Sequence, residues 1–214
     1  MSGTSSNRIL SIYKSRITIL DHMERLKYAV SDYNTFSINE VDAMYVNSQL
    51  DMLLTHQENE KKVYIKYYFS PKTGSKQIRP ATLDTIVEDL YEIEKVLSKR
   101  DTLVIIIDEE PNETIINKVK YIYERHQVFV VIHNIKRLQF NILKHALVPQ
   151  VSIMSEPEVN ELKQKFNLKQ LTLLPEISRF DPVALAIAMR PGEVVRFMRT
   201  SATALITPYY RICV

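Results

Sequence analysis

Glycine is scarce in this chain of 214 residues, with three in all, Gly3, Gly74 and Gly192. Loops that bring backbone amides against phosphates rely on residues without a Cβ, so most nucleotide-hydrolysing architectures are excluded. Cysteine is scarcer still. Cys213 stands alone, which removes any intrachain disulfide and any thiolate zinc site and points to a reducing compartment. Long apolar runs are missing: Leu103 to Ile107 and Val128 to Ile132 are five residues each and Val183 to Met189 is seven, against about 20 for a membrane-spanning helix. The opening residues, Met1 to Arg8, lack the apolar stretch of a signal peptide. No charge sign dominates, since 28 basic residues face 25 acidic ones for a net +3. Wholesale attraction to nucleic acid or membrane is therefore not expected, and any basic patch must be local. The five histidines (His22, His56, His126, His133, His145) include no pair at helical ligand spacing with an acidic companion, so no metal site is expected; no cofactor and no small-molecule substrate are expected either.

What is present is a folding chain. Hydrophobic residues make up 45% and charged residues 25%, an ordinary globular balance, and the length suits two domains. Ile9, Tyr13, Ile17, Leu20, Met23 and Leu26 recur at spacings of three and four, predicting a helix from Ser6 to about Val30. Ser37 and Glu40 have capping-box spacing ahead of a second helical stripe through Val41, Met44, Tyr45 and Met52. From Lys62 to Phe69 apolar and polar residues alternate as in a half-exposed strand. A helix is expected from Leu83 to Ser98, a β-branched strand from Thr102 to Ile107, a turn at Asp108 to Asn112, a helix to about His126 and a strand from Val128 to His133. Strand, helix, strand, helix, strand builds an α/β layer. The pattern weakens after His133, and the expected division is 1–139 and 140–214. In the second part Ser155 and Glu158 repeat the capping-box spacing, and Asp181 followed by Pro182 reads as an N-cap and first helical residue. Glu193 to Arg199 and Ile206 to Val214 read as strands, with Pro208 confining the last to an edge, its first residues or a bulge. This part is small and mixed α/β.

Catalytic readings find little support. Cys213 lies among apolar neighbours, where a thiol stays protonated. Metal-dependent nucleases can hold an ion with an aspartate and a Glu-x-Lys on neighbouring strands. Here Glu60-Lys61-Lys62 precedes a strand, with Asp51 and Asp108 as possible third members, and Glu161-Leu-Lys163 lies on a helix. Such short spacings arise readily by chance. The acidic run Asp108 to Glu110 precedes a helix whose N-terminus would welcome negative charge. Lys72, Lys76 and Arg79 in the loop after the first strand could neutralise phosphates of duplex DNA, or simply form a solvated loop. From Arg179 onward all five basic residues are arginine (Arg179, Arg190, Arg196, Arg199, Arg211). Their planar forks suit carboxylates at a protein interface as well as nucleic acid.

The stretch from His145 onward carries a series of blocks in order: His145-Ala-Leu147-Val-Pro149, the helix opening at Ser155, Leu174-Pro175-Glu-Ile177, Asp181-Pro182-Val-Ala-Leu185, Gly192-Glu-Val-Val195, then Arg199, Ser201, Thr203 and Tyr210-Arg211-Ile-Cys213. These resemble the assembly domain of the fifth subunit of eukaryotic RNA polymerases and its archaeal equivalent. Residues 1–139 are similar to the family's eukaryote-type jaw domain only in length, layout and position. The resemblance implies an α/β jaw domain of nuclease-like layout without an active site, followed by the small assembly domain. It implies a structural component without catalysis that docks on the largest subunit, belongs to the lower jaw near downstream duplex DNA, and sits in the nucleus if cellular, or in the virion or infected-cell cytoplasm if viral. Leu147, Pro149, Pro175, Asp181, Pro182, Gly192, Arg199, Tyr210 and Arg211 are the residues it assigns to assembly. The chain departs from the family pattern at Gln150 and Val151, where the family has lysine and histidine, and at Ala202 and Ala204-Leu-Ile206, where it has glutamate and Ser-Gly-Arg. The alternatives are a metal-dependent nuclease on the first domain and a free-standing adaptor.

Overall fold

The computed structural model describes residues 2–69 and 77–214, with side chains from Asn7 onward. They form two compact units, Met1–Phe140 and Asn141–Val214. Both are mixed α/β, each with one four-stranded sheet.

In the first unit, helix α1 (Ser2–Arg25) buries Ile12, Ile19, Leu20 and Met23 and packs on the 3-10 turn Ile135–Gln139, where the Gln139 amide reaches the Ser11 carbonyl at 3.0 Å. It ends at Arg25, short of the expected Val30. Lys27 turns left-handed there, and the Tyr28 amide bonds back to the Met23 carbonyl, closing the helix. Helix α2 (Ile38–Val46) carries the expected capping box, Ser37 with Glu40. It does not reach Met52. Ser48 is left-handed and ends the helix, and Met52 instead begins a strand the periodicity did not reveal, β1 (Met52–Thr55), paired antiparallel with β2 (Lys62–Tyr67). β2 runs parallel to β3 (Thr102–Ile107), and β3 runs parallel to β4 (Phe129–Asn134). Every residue of β3 and β4 is buried, as parallel strands covered on both faces require. Each fully buried aliphatic side chain contributes roughly 1.5–3 kcal/mol.

The crossover between β2 and β3 differs from the single helix expected. Helix α3 (Pro80–Glu88) starts earlier because Pro80 occupies its first position, where a missing amide is harmless. It then widens into one π turn, Asp89–Ile93, closed by the Glu94 amide on the Asp89 carbonyl. Helix α4 (Glu113–His126) is capped by the Asn112 side chain, which accepts from the Ile115 amide. The acidic run before it does not serve that helix end. Asp108 takes a two-pronged ion pair from Arg8, and Glu110 takes Arg137 at 2.9 Å.

In the second unit the strand order is β5 (Gln150–Ile153), β7 (Val194–Ser201), β8 (Leu205–Cys213), β6 (Glu176–Ile177). β7 pairs antiparallel with β5 and β8, whereas β6 adds only two parallel pairs, at Ile212 and Cys213. The outer side of β8 from Leu205 to Arg211 is therefore an edge, which accommodates Pro208. One sheet face carries Val195 and Phe197 and packs with Val151, Ile177, Ala184, Ile187, Met189 and Cys213. Helix α6 (Pro182–Ala186) supplies Ala184 and is capped by the Asp181 carboxylate on the Val183 amide at 2.8 Å. The other face carries Arg196 and Tyr210, which are paired in register. Helix α5 (Glu156–Lys165), opened by the Ser155 and Glu158 capping box, contacts this face. Glu158 pairs with Arg196 at 3.3 Å, and Phe166 meets Tyr210 edge to face.

Candidate assembly surface

The nuclease-type residues are not gathered into a site. Glu60 is exposed in a left-handed turn before β2, and Asp108 is held by Arg8. The Asp51 carboxylate accepts from the Tyr64 hydroxyl and Lys66 ammonium at 3.1 Å each and from the Tyr67 amide at 2.9 Å. That cage pins β1 to β2 and leaves a tyrosine, not a second carboxylate, beside the lysine. Burial and the neighbouring Asp51 charge push the Tyr64 hydroxyl well above its ordinary range, so it stays a donor. Glu161 is exposed on α5. No group of three or more histidine, cysteine or acidic residues among the described residues could hold a metal. Cys213 is buried with its thiol toward the Met189 carbonyl, and burial, opposed by Arg179, pushes it up to about 11; near neutral pH it is protonated. Of the three candidate DNA-contacting residues, Lys72 and Lys76 lie outside the described residues. Arg79 is exposed at the N-terminal boundary of α3.

The residues matched to the assembly domain divide by what they do. Asp181 and Pro182 cap and open α6. Gly192 is third in the turn Arg190-Pro191-Gly192-Glu193, closed by the Glu193 amide on the Arg190 carbonyl, with φ +88°. Proline second and glycine third are what a type II turn demands, and a Cβ there would strain the backbone although nothing lies within 4 Å of it. Pro175 gives its carbonyl to the Ile212 amide, and Arg211 donates to the neighbouring Glu176 carbonyl at 3.1 Å. Both hold β6 to β8. Tyr210 faces α5. Leu147 and Arg199 are the ones left open to solvent: Leu147 is 86% exposed, ahead of Pro149 and β5. Arg199 lies over the Tyr209 ring at 4.4 Å, with Arg211 at 5.3 Å from the same ring. Residue types alone did not separate these two groups, because a cap, a turn glycine and a solvent-facing residue look alike until the backbone is known. The reversal between β7 and β8, with Leu205 84% exposed, was not among the residues assigned to assembly. Its one signal was the apolar departure at Ala204-Leu-Ile206.

Residues 140–213 match the family model described as RNA polymerase Rpb5, C-terminal domain. Over 76 residues, 36% of this chain and 92% of the relative, the chain is 41% identical to the DNA-directed RNA polymerase subunit Rpo5 of Thermococcus kodakarensis. It is 37% identical over 73 residues to the Rpo5 of Methanococcoides burtonii, covering 34% of this chain and 92% of that protein. It is 43% identical over 74 residues to the Rpo5 of Staphylothermus marinus, covering 35% and 80%. These alignments run nearly the whole length of the first two relatives, and the family match at 140–213 takes in β5, α5, β6, α6 and the β7–β8 hairpin. The chain therefore belongs to the Rpb5/Rpo5 family and is a non-catalytic subunit of DNA-directed RNA polymerase.

Proposed function

We propose that the C-terminal unit is the plug by which this protein docks on the largest subunit of a multisubunit polymerase, while the N-terminal unit forms part of the lower jaw near downstream duplex DNA. The observation that carries the reading is that the family match, 140–213, spans a unit with its own core, Asn141–Val214. A small unit stiffened on both sheet faces can present rigid edges to a partner. Its assembly residues act in two ways. Asp181, Pro182, Pro175 and Gly192 hold the shape of the docking unit, and Leu147, Pro149, Arg199, Tyr210 and Arg211 line or support its surface. The N-terminal unit takes the role of a jaw of nuclease-like layout without an active site, with Lys72, Lys76 and Arg79 neutralising DNA phosphates. The complex works wherever its polymerase does, in the nucleus of a cellular host or in the virion or infected cytoplasm of a viral one.

Affinity purification of the full chain from its native source tests this directly. The largest polymerase subunit is the expected companion, and recovery of no transcription machinery overturns the reading. Incubation of the purified chain with supercoiled plasmid and Mg²⁺ or Mn²⁺ is expected to give no cleavage.

A further inference from the structure

The turn from β7 into β8 is built against backbone preference. Ser201 pairs with Leu205 across the three residues Ala202–Ala204. Such a loop closes through a residue in the left-handed region, a place glycine fills at no steric cost. Leu205 fills it here, at φ +53°, and of the eight non-glycine residues with positive φ among those described it is the one with a large aliphatic side chain. Six of the others carry polar side chains and the seventh is Ala188. An L-residue with a bulky Cβ is disfavoured in this conformation. The strain gains nothing inside the chain, since the Leu205 side chain is 84% exposed and its neighbour Ile206 is 59% exposed. Backbone strain held at a solvent-exposed apolar tip points to a use outside the molecule.

The surroundings specify that use. Residues 202–208 are all exposed, and Thr200 to Tyr210 contain no charged side chain. The register puts Leu205 on the face shared by Arg199 and Tyr209, and Ile206 on the opposite face with Thr200. An uncharged finger with an exposed aliphatic side chain on each side, Leu205 and Ile206 among hydroxyl residues, is complementary to a recess, because a flat surface would cover only one. Arginine returns at the base, where Arg199, exposed, and Arg211 flank the Tyr209 ring. The matching surface therefore has an apolar floor and carboxylates at its rim, which would meet Arg199 in a desolvated bidentate pair.

We propose that the β7–β8 tip, with Leu205 at its end, inserts into an apolar, acid-rimmed recess on another subunit of the same polymerase. This rests on the docking reading above and names the element that does the docking. Leu205→Gly separates the two effects of the residue, since it relieves the strained backbone and removes the plug. The full-length variant and wild type, differently tagged, are co-expressed with the cognate polymerase subunits and compete for incorporation, while the thermal midpoint of each purified chain is measured alone. Leu205→Gly is expected to melt a few degrees higher than wild type yet to be incorporated about tenfold less well. Leu205→Met, which keeps an aliphatic tip, is expected to be incorporated like wild type. Equal incorporation of Leu205→Gly overturns the proposal. So does light scattering that finds the wild-type chain dimeric and Leu205→Gly monomeric, which would make a second copy the occupant. Failure of wild type itself to enter the complex strikes the docking reading instead.

Discussion

The two sheets of this protein solve opposite problems. In the N-terminal unit β3 and β4 are buried along their whole length, so their side chains are committed to the core. In the C-terminal unit β7 and β8 are buried only in the half that carries Val194, Val195, Phe197, Ile212 and Cys213, and by Ala202 the hairpin is in solvent. A doubly covered parallel sheet meets a partner through its loops and helix ends. An antiparallel hairpin can give one half of the same strands to a core and lend the other half outward.

That contrast can be broken experimentally, most forcefully at the first sheet. Leu103→Ala in β3 removes a side chain with no exposed area and is expected to destabilise the N-terminal unit by about 2–5 kcal/mol. Hydrogen exchange should show the loss in β2, β3 and β4 while the β7–β8 amides keep their protection; loss in both would mean that the units unfold as one. At the base of the hairpin, Arg199→Glu is expected to lower incorporation into the polymerase about tenfold and to shift the thermal midpoint of the free chain little, because an exposed charge contributes little to folding. Arg211→Glu makes a poorer probe, since Arg211 also ties β8 to the Glu176 carbonyl. Asp181→Ala removes the α6 cap and is expected to cost about 1 kcal/mol, read as a lower denaturant midpoint for the C-terminal unit. The smallest effect concerns acid. The Ser155 backbone amide and then its hydroxyl, with Arg196 adding to them, hold the Glu158 carboxyl below the ordinary range. The stabilisation is present above the unfolded carboxyl's pKa and lost as pH falls through the lowered folded value. NMR titration of the Glu158 carboxyl should show the low midpoint, and Ser155→Ala should move it up.

How much of this the sequence disclosed follows from how local each cause is. The strands β3 and β4 were legible as runs of β-branched and apolar residues, and both capping boxes were legible because cap and acceptor stand three residues apart. β1, β5 and β6 were not, having four, four and two residues that are strands only because a neighbour distant in sequence pairs with them. Met52 fits a helical stripe until the left-handed Ser48 ends α2 before it. The partner of Asp108 is Arg8, a hundred residues away, and no spacing rule reaches that far. The residues proposed for assembly were named through resemblance rather than chemistry, while Leu205 was visible only as an apolar departure. Its significance needed the sign of a dihedral angle.

The single thiol of the chain closes the core of the C-terminal unit from within, next to last in the sequence and at the end of β8. A disulfide reagent added to the unlabelled protein would therefore find nothing to react with until that unit opens. The colour change it produces would time the breathing of the C-terminal unit in the free protein and again inside the assembled enzyme, where slower labelling would record how firmly the partner clamps it shut.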